Sequence, residues 1–155
     1  MIEPVSPHNL ERLEYFLKGD KQALLYCLDV LYVAHCWDDL IDRDKDVSAE
    51  DINQAFIKSL GTIPQNQFYL YCQAALLPMM CNALTMWLES NELRKGGADE
   101  RATAFTLMHV VVDIVHFCIV IKGGIEWARE VGTEFWQLFG VTEQELKSCM
   151  EAENV

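Results

Sequence analysis

Lys21-Gln22-Ala23-Leu24-Leu25-Tyr26-Cys27-Leu28-Asp29-Val30-Leu31-Tyr32-Val33-Ala34-His35-Cys36-Trp37-Asp38-Asp39-Leu40-Ile41-Asp42 is the stretch whose reading decides the fold. Leu24, Leu28, Leu31 and His35 recur at spacings of four, three and four, so they line one side of a helix. Asp20 stands where an N-cap is needed, because its carboxylate can accept from the first free backbone N–H groups. The same signals repeat outward in both directions. Ser6–Pro7 opens a short helix carrying Leu10, Leu13 and Phe16–Leu17, and Gly19 ends it. Ser48 with Asp51 three residues on resembles a capping box, with Asp in place of Glu, opening a helix to about Leu60 that Gly61 closes.

Pro64 begins the next helix, which carries Tyr69, Leu76, Met80, Leu84 and Trp87 toward Glu92, with Pro78 expected to kink or split it. Arg94 to Asp99, with Gly96–Gly97, reads as a loop. A helix then runs from about Asp99 to Ile121 and stops at Gly123–Gly124. Ile125 to Phe139 and Thr142 to Met150 form a final pair around Gly140. Strand signals are scarce, and no repeat, low-complexity segment or linker interrupts the chain. The expectation is an all-α bundle of six to eight helices, one domain over residues 1–155.

Composition narrows the function classes. Asp and Glu number 24 against 12 Lys and Arg, a formal charge of −12. That balance disfavours nucleic acid, which needs clustered basic residues, and docking on anionic membranes. It favours counterions such as metals or cationic partners, or simply solubility. The cysteines Cys27, Cys36, Cys72, Cys81, Cys118 and Cys149 mostly sit in apolar runs with no zinc or redox spacing, as reduced thiols of a cytoplasmic protein would. The start, Met1-Ile2-Glu3-Pro4, reads as no export signal. Ala102 to Ile121 is nearly all apolar but carries His109, Asp113 and His116 at its centre. A central Asp costs about 2.5–3.5 kcal/mol on insertion scales, so a buried bundle helix is the expected reading.

Two sets of polar residues carry chemistry. Asp38, Asp39 and Asp42 are three and four apart, so their carboxylates project to one side of the helix, with His35 one turn earlier. Converging carboxylates are what Mg²⁺ takes, usually with waters and phosphate oxygens. Five Asp against Arg43 and Lys45 between Asp38 and Asp46 leave three net negative charges at a helix C-terminus, the wrong end of its dipole. A bound cation would relieve that conflict; a solvated acidic helix end is the alternative. His109, Asp113 and His116 stack on one face at spacings of four and three. They read either as a hydrogen-bond ladder or as a second wall completing a site opposite Asp38. The four tryptophans, with Phe68–Tyr69, read as packing. No glycine-rich phosphate loop or activated nucleophile stands out.

Asp38-Asp39-Leu40-Ile41-Asp42 resembles the DDxxD motif of the isoprenoid (terpenoid) synthases. That resemblance implies that Asp38, Asp39 and Asp42 hold Mg²⁺ against a substrate diphosphate. The chain is much shorter than those enzymes and lacks their second acidic motif, so a shortened isoprenoid-synthase-like bundle is what it implies. Trp37 to Lys45, Ile52-Asn53-Gln54-Ala55-Phe56, Phe68–Tyr69, Trp87 and Gly123-Gly124-Ile125-Glu126-Trp127-Ala128 look like a family of small phage and prophage proteins without an assigned activity. Val112-Asp113-Ile114-Val115-His116-Phe117 is similar to the second acidic helix of all-α nucleotide pyrophosphohydrolases, although their paired-glutamate motif is missing. The resemblances together imply a phage-type helical protein of the bacterial cytoplasm that binds Mg²⁺ and a diphosphate-containing ligand. The alternatives are a nucleotide pyrophosphohydrolase, with Asp113 on the opposite wall, and a non-enzymatic module for a protein partner or a homo-oligomer.

Overall fold

Asp20 sets the start of the central helix. Its Oδ1 accepts from the backbone N–H of Gln22 at 2.9 Å and of Ala23 at 3.0 Å, while Oδ2 pairs with Lys122 at 2.6 Å. Helix α2 (Lys21–Asp42) then runs unbroken until Arg43 takes the left-handed conformation, φ 57°, and donates back to the Asp39 carbonyl at 3.0 Å. The computed structural model describes residues 5–43 and 46–151; the side chains of Asp42 and of residues 148–151 lie outside the described part. Met1 to Pro4, Asp44 and Lys45, all used in reading the sequence, lie outside it too.

The other helices are α1 (Pro7–Phe16), α3 (Ala49–Ile57), a short α4 (Ile63–Gln65), α5 (Gln67–Leu93), α6 (Ala98–Met108), α7 (Val110–Phe139) and α8 (Glu143–Glu151). No strand occurs among the described residues, so the fold is all-α. Ser6 caps α1 as expected. The Ser48–Asp51 box is present in both directions, and Tyr32 on α2 adds a third hydrogen bond to the Asp51 carboxylate at 3.2 Å. These bonds, the Ser48 hydroxyl first, hold the Asp51 pKa down at about 2.

Three expected boundaries move. Gly61 does not stop the chain; Lys58–Thr62 forms a π turn that joins α3 to α4. Asp29 on α2 grips both ends of that turn, at 2.5 Å from Lys58 Nζ and 2.6 Å from the Thr62 hydroxyl. Pro78 does not split α5, which is capped by Asn66 and continues to Leu93. Pro78 is on the exposed side of the helix, where solvent can reach the carbonyl left without its N–H partner. The expected helix from Asp99 instead breaks at His109, whose φ of −91° and ψ of 6° separate α6 from α7.

Gly124, at φ 77° and ψ 176°, interrupts α7. His116 and Trp136, twenty residues apart, have ring centroids 5.3 Å apart. A straight helix would separate them by about 30 Å, so the limbs 110–123 and 125–139 fold back on each other. Only glycine takes that positive φ without strain.

The core lies where α2, α5 and α7 meet. One buried cluster runs from Leu13 through Tyr26, Cys27, Leu76, Ile114 and Cys118 to Phe135. Helix α1 lies on α7 through a two-pronged Arg12–Glu134 pair at 2.6 and 2.7 Å, and Trp127 donates to the Phe16 carbonyl at 2.8 Å. Helix α6 packs along α5, and α8 rests on α6. Ala98–Phe139 is long and apolar enough to cross a membrane by length and composition. Here Val110, Ile114, Val115, Cys118 and Ile119 within it are buried.

Asp20 joins a cap to an inter-helix ion pair, so Asp20→Ala should lower unfolding stability by about 1–2 kcal/mol at pH 7, against almost nothing for exposed Glu130→Ala. Burial pushes the Asp20 pKa up, but Lys122 and the two backbone donors hold it below the usual aspartate value. Its contribution is therefore complete above the unfolded pKa of about 4 and lost as pH falls through the depressed folded value. Urea unfolding at several pH values checks this; equal losses for the two variants would contradict it.

Candidate functional site

The C-terminal turn of α2 presents the aspartates. Asp38 is half-buried, and its Oδ1 accepts a hydrogen bond from the Trp87 indole N–H on α5 at 3.0 Å. The Trp37 and Trp87 rings pack beside this bond, with centroids 4.1 Å apart at 33°. Asp39 is also half-buried, and His35, one turn back, is exposed. The third member, Asp42, belongs to the last turn of α2, and its side chain lies outside the described part. Among the described residues no three His, Cys, Asp or Glu side chains are grouped as metal ligands.

The donor chemistry of Asp38 and Asp39 nonetheless suits Mg²⁺, which takes hard carboxylate oxygens. The indole bond to Asp38 is the type of outer hydrogen bond that orients a ligating carboxylate. Sequence reading offers no pointer to Trp87 in this role, since the partner is 49 residues away on another helix.

His109, Asp113 and His116 do not form the expected ladder: among the described residues no hydrogen bond joins them. The break sets His109 outside the helix that carries Asp113 and His116, which remain three apart on one unbroken stretch of α7. His109 Nδ1 instead lies 2.8 Å from the Phe105 carbonyl, its ring edge-on to Phe105 at 4.8 Å. His116 is held among aromatic rings, near-stacked on Trp136 at 5.3 Å and tilted against Phe135 at 5.4 Å. Asp113 borders an open groove of about 410 Å³ between α5 and α7, with Met79, Asn82, Met86, Val110 and Ile114.

Partial burial raises the Asp113 pKa, and the nearby imidazoles of His116 and His109 pull it back. Asp113 remains solvent-accessible along its outer edge. Asp38 meets α5 at Trp87, whereas the groove that Asp113 borders is lined on α5 by Asn82 and Met86, on a different side of that helix, since successive helical residues point about 100° apart. A second open groove, about 520 Å³, lies far along the chain at Glu11, Tyr15, Lys18 and Trp127. Neither groove is lined by Asp38 or Asp39.

The structure gathers one set not expected from the sequence. Thr142 and Glu145 cap α8 reciprocally, with Glu145 accepting from the Thr142 backbone N–H at 2.6 Å and from its hydroxyl at 2.7 Å. Burial pushes the Glu145 pKa up, but these bonds, with the charges of His109 and His35 nearby, bring it below the usual glutamate value. The Thr-x-x-Glu spacing is the sequence signal for this cap.

Burial among the rings lowers the His116 pKa, with Asp113 opposing. A His that resists protonation when folded makes the fold more stable above the unfolded pKa of about 6.5 and progressively less so as pH falls below it. Urea midpoints at pH 7.5 and 5.5 should therefore differ more in the wild type than in His116→Phe, which keeps the ring packing; equal differences would refute this placement of His116. No protein-family model, curated protein or solved structure matches this chain.

Proposed function

We propose that this chain is a non-enzymatic association module of phage type, offering the outward face of α5 to a protein partner. What carries the reading is a contrast of charge and exposure. Between Lys58 and Glu89 no residue is charged, in a chain with a formal charge of −12. The part of α5 inside that stretch nevertheless has a side facing water: Leu70, Leu77, Leu84 and Leu88 are each 44–55% exposed and Tyr71 is 92% exposed. A solvated helix face ordinarily carries charged residues. Contiguous apolar surface beyond a few hundred Å² marks a binding face in soluble proteins. The core side of α5 is Phe68, Tyr69, Leu76, Ala83, Trp87 and Ser90, and Leu84 lies on the other side.

Cys81 reports on this face, because it is exposed in the middle of it. In the purified protein at nanomolar concentration, a maleimide should label Cys81 as fast as a free thiol. In the cells that make the protein, the same site should be shielded. Equal labelling in both settings would remove the association reading.

A second reading is favoured by the Trp87 bond to Asp38. In it Asp38, Asp39 and Asp42 would hold Mg²⁺, which would supply charge neutralisation for a diphosphate-containing ligand, as in a shortened isoprenoid-synthase-like bundle. This chain's own part is to orient the carboxylates, through Trp87 and the last turn of α2. A calorimetric Mg²⁺ titration should then show saturable binding, strengthened by pyrophosphate and lost in Asp39→Asn. Absence of binding with and without pyrophosphate would eliminate it. Release of pyrophosphate from a nucleoside triphosphate would point to a pyrophosphohydrolase using Asp113 instead.

A further inference from the structure

We infer that the occupant of the α5 face is a second copy of this chain, the two α5 helices packing antiparallel about a two-fold axis between Leu77 and Cys81. This rests on the reading of that face as an association surface and specifies what covers it.

The register comes first. Leu70, Ala74, Leu77, Cys81, Leu84 and Leu88 follow one another at steps of four and three, and all six are exposed. That is the 3.5-residue repeat of a two-stranded seam, with leucine every seventh residue at 70, 77 and 84. Such a repeat is satisfied by another helix of the same spacing, and the chain itself supplies one in every second copy.

Size and charge select the direction. In an antiparallel pair Leu70 lies level with the partner's Leu88, Ala74 with the partner's Leu84, and Leu77 with the partner's Cys81. Each small residue then meets a leucine. A parallel pair would set Ala74 against its own copy and leave a gap at that level.

The acids of α5, Glu89 and Glu92, lie at its C-terminal end, and its first turn holds no acidic residue. Antiparallel packing brings each Glu89 beside the start of the partner helix, where the unpaired N–H groups carry partial positive charge. Parallel packing would place like charges side by side at the negative end of both dipoles. With a formal charge of −12 per copy, this uncharged seam is where two copies can meet without opposing carboxylates.

The seam residues Leu70, Leu77, Leu84 and Leu88, each 44–55% exposed, with exposed Ala74 and Cys81 between them, are flanked by Tyr71 and Pro78, so two copies would remove on the order of 1,000 Å² from water in total, the size at which a specific interface begins.

Sedimentation and light scattering of the full chain at tens of micromolar should give twice the chain mass. Leu77→Lys and Leu84→Lys, both at exposed positions, should keep the helical spectrum and weaken dimerisation on the order of 100-fold by burying an unpaired charge. In a Cys81→Ser background, Leu70→Cys combined with Leu88→Cys should form an intermolecular disulfide between positions 70 and 88. Leu88→Cys alone should not cross-link. A dimer indifferent to both lysine variants, or cross-linking of Leu88→Cys to itself, would overturn the arrangement. A monomer overturns it as well, and Cys81 labelling then separates two failures. A reactive Cys81 means the face is open but not for self-pairing. A shielded Cys81 in a monomer means the chain covers its own face, and the association reading fails too.

Discussion

Tyr26 stands wholly buried where α2 meets α5, stacked on Tyr69 at 5.6 Å between centroids and donating its hydroxyl to the Met80 sulfur at 3.2 Å. Burial pushes the phenol pKa up, so the group stays protonated and must find an acceptor inside the bundle. A thioether is a weak acceptor, and the stacked ring adds directional contact. The consequence is rotational: Tyr69 and Met80, on the core side of α5, fix how that helix is turned about its axis. Seven residues beyond Met80, Trp87 is thereby brought against Asp38. The same rotation leaves Leu70, Leu77, Leu84 and Leu88 pointing away from the core. The acidic end of α2 and the apolar outer face of α5 are therefore two products of one packing register.

Local signals were legible wherever the physics is local. Ser6, Asp20 and the Ser48–Asp51 pair read as caps because each cap is made within three residues of itself. Gly124 read as a stop because its left-handed φ is a property of glycine. The misread boundaries have tertiary causes. The π turn after Ile57 depends on Asp29, contributed by α2, gripping Lys58 and Thr62. Pro78 fails to break α5 because the helix is held by Leu76 and Ala83 in the core on either side, while the proline itself faces out. The break at His109 is accompanied by its ring contact with the Phe105 carbonyl and by α6 lying along α5. Neither contact follows from the apolar run that surrounds it.

The site was legible only in part, for a related reason. Spacing alone places Asp38 and Asp39 on one turn of α2, and the structure keeps them half-buried there. Spacing cannot supply Trp87, which reaches Asp38 only through the docking of α5. His109, Asp113 and His116 share a face only on a continuous helix; the break sets His109 apart on the Phe105 carbonyl, while the fold-back at Gly124 brings Phe135 and Trp136 onto His116.

The distribution of charge ties the two surfaces together. Acidic residues are spread over the rest of the chain but are absent from the whole stretch between Lys58 and Glu89. Net negative charge outside that stretch makes approach of a second acidic body costly there, within the screening length of about 8 Å at physiological salt. The uncharged face of α5 carries no such penalty and has apolar area to remove from water. Selectivity for that face then arises as much from repulsion elsewhere as from attraction on it. The acidic end of α2, one helix away and tied to α5 through Trp87, marks the boundary of that uncharged region.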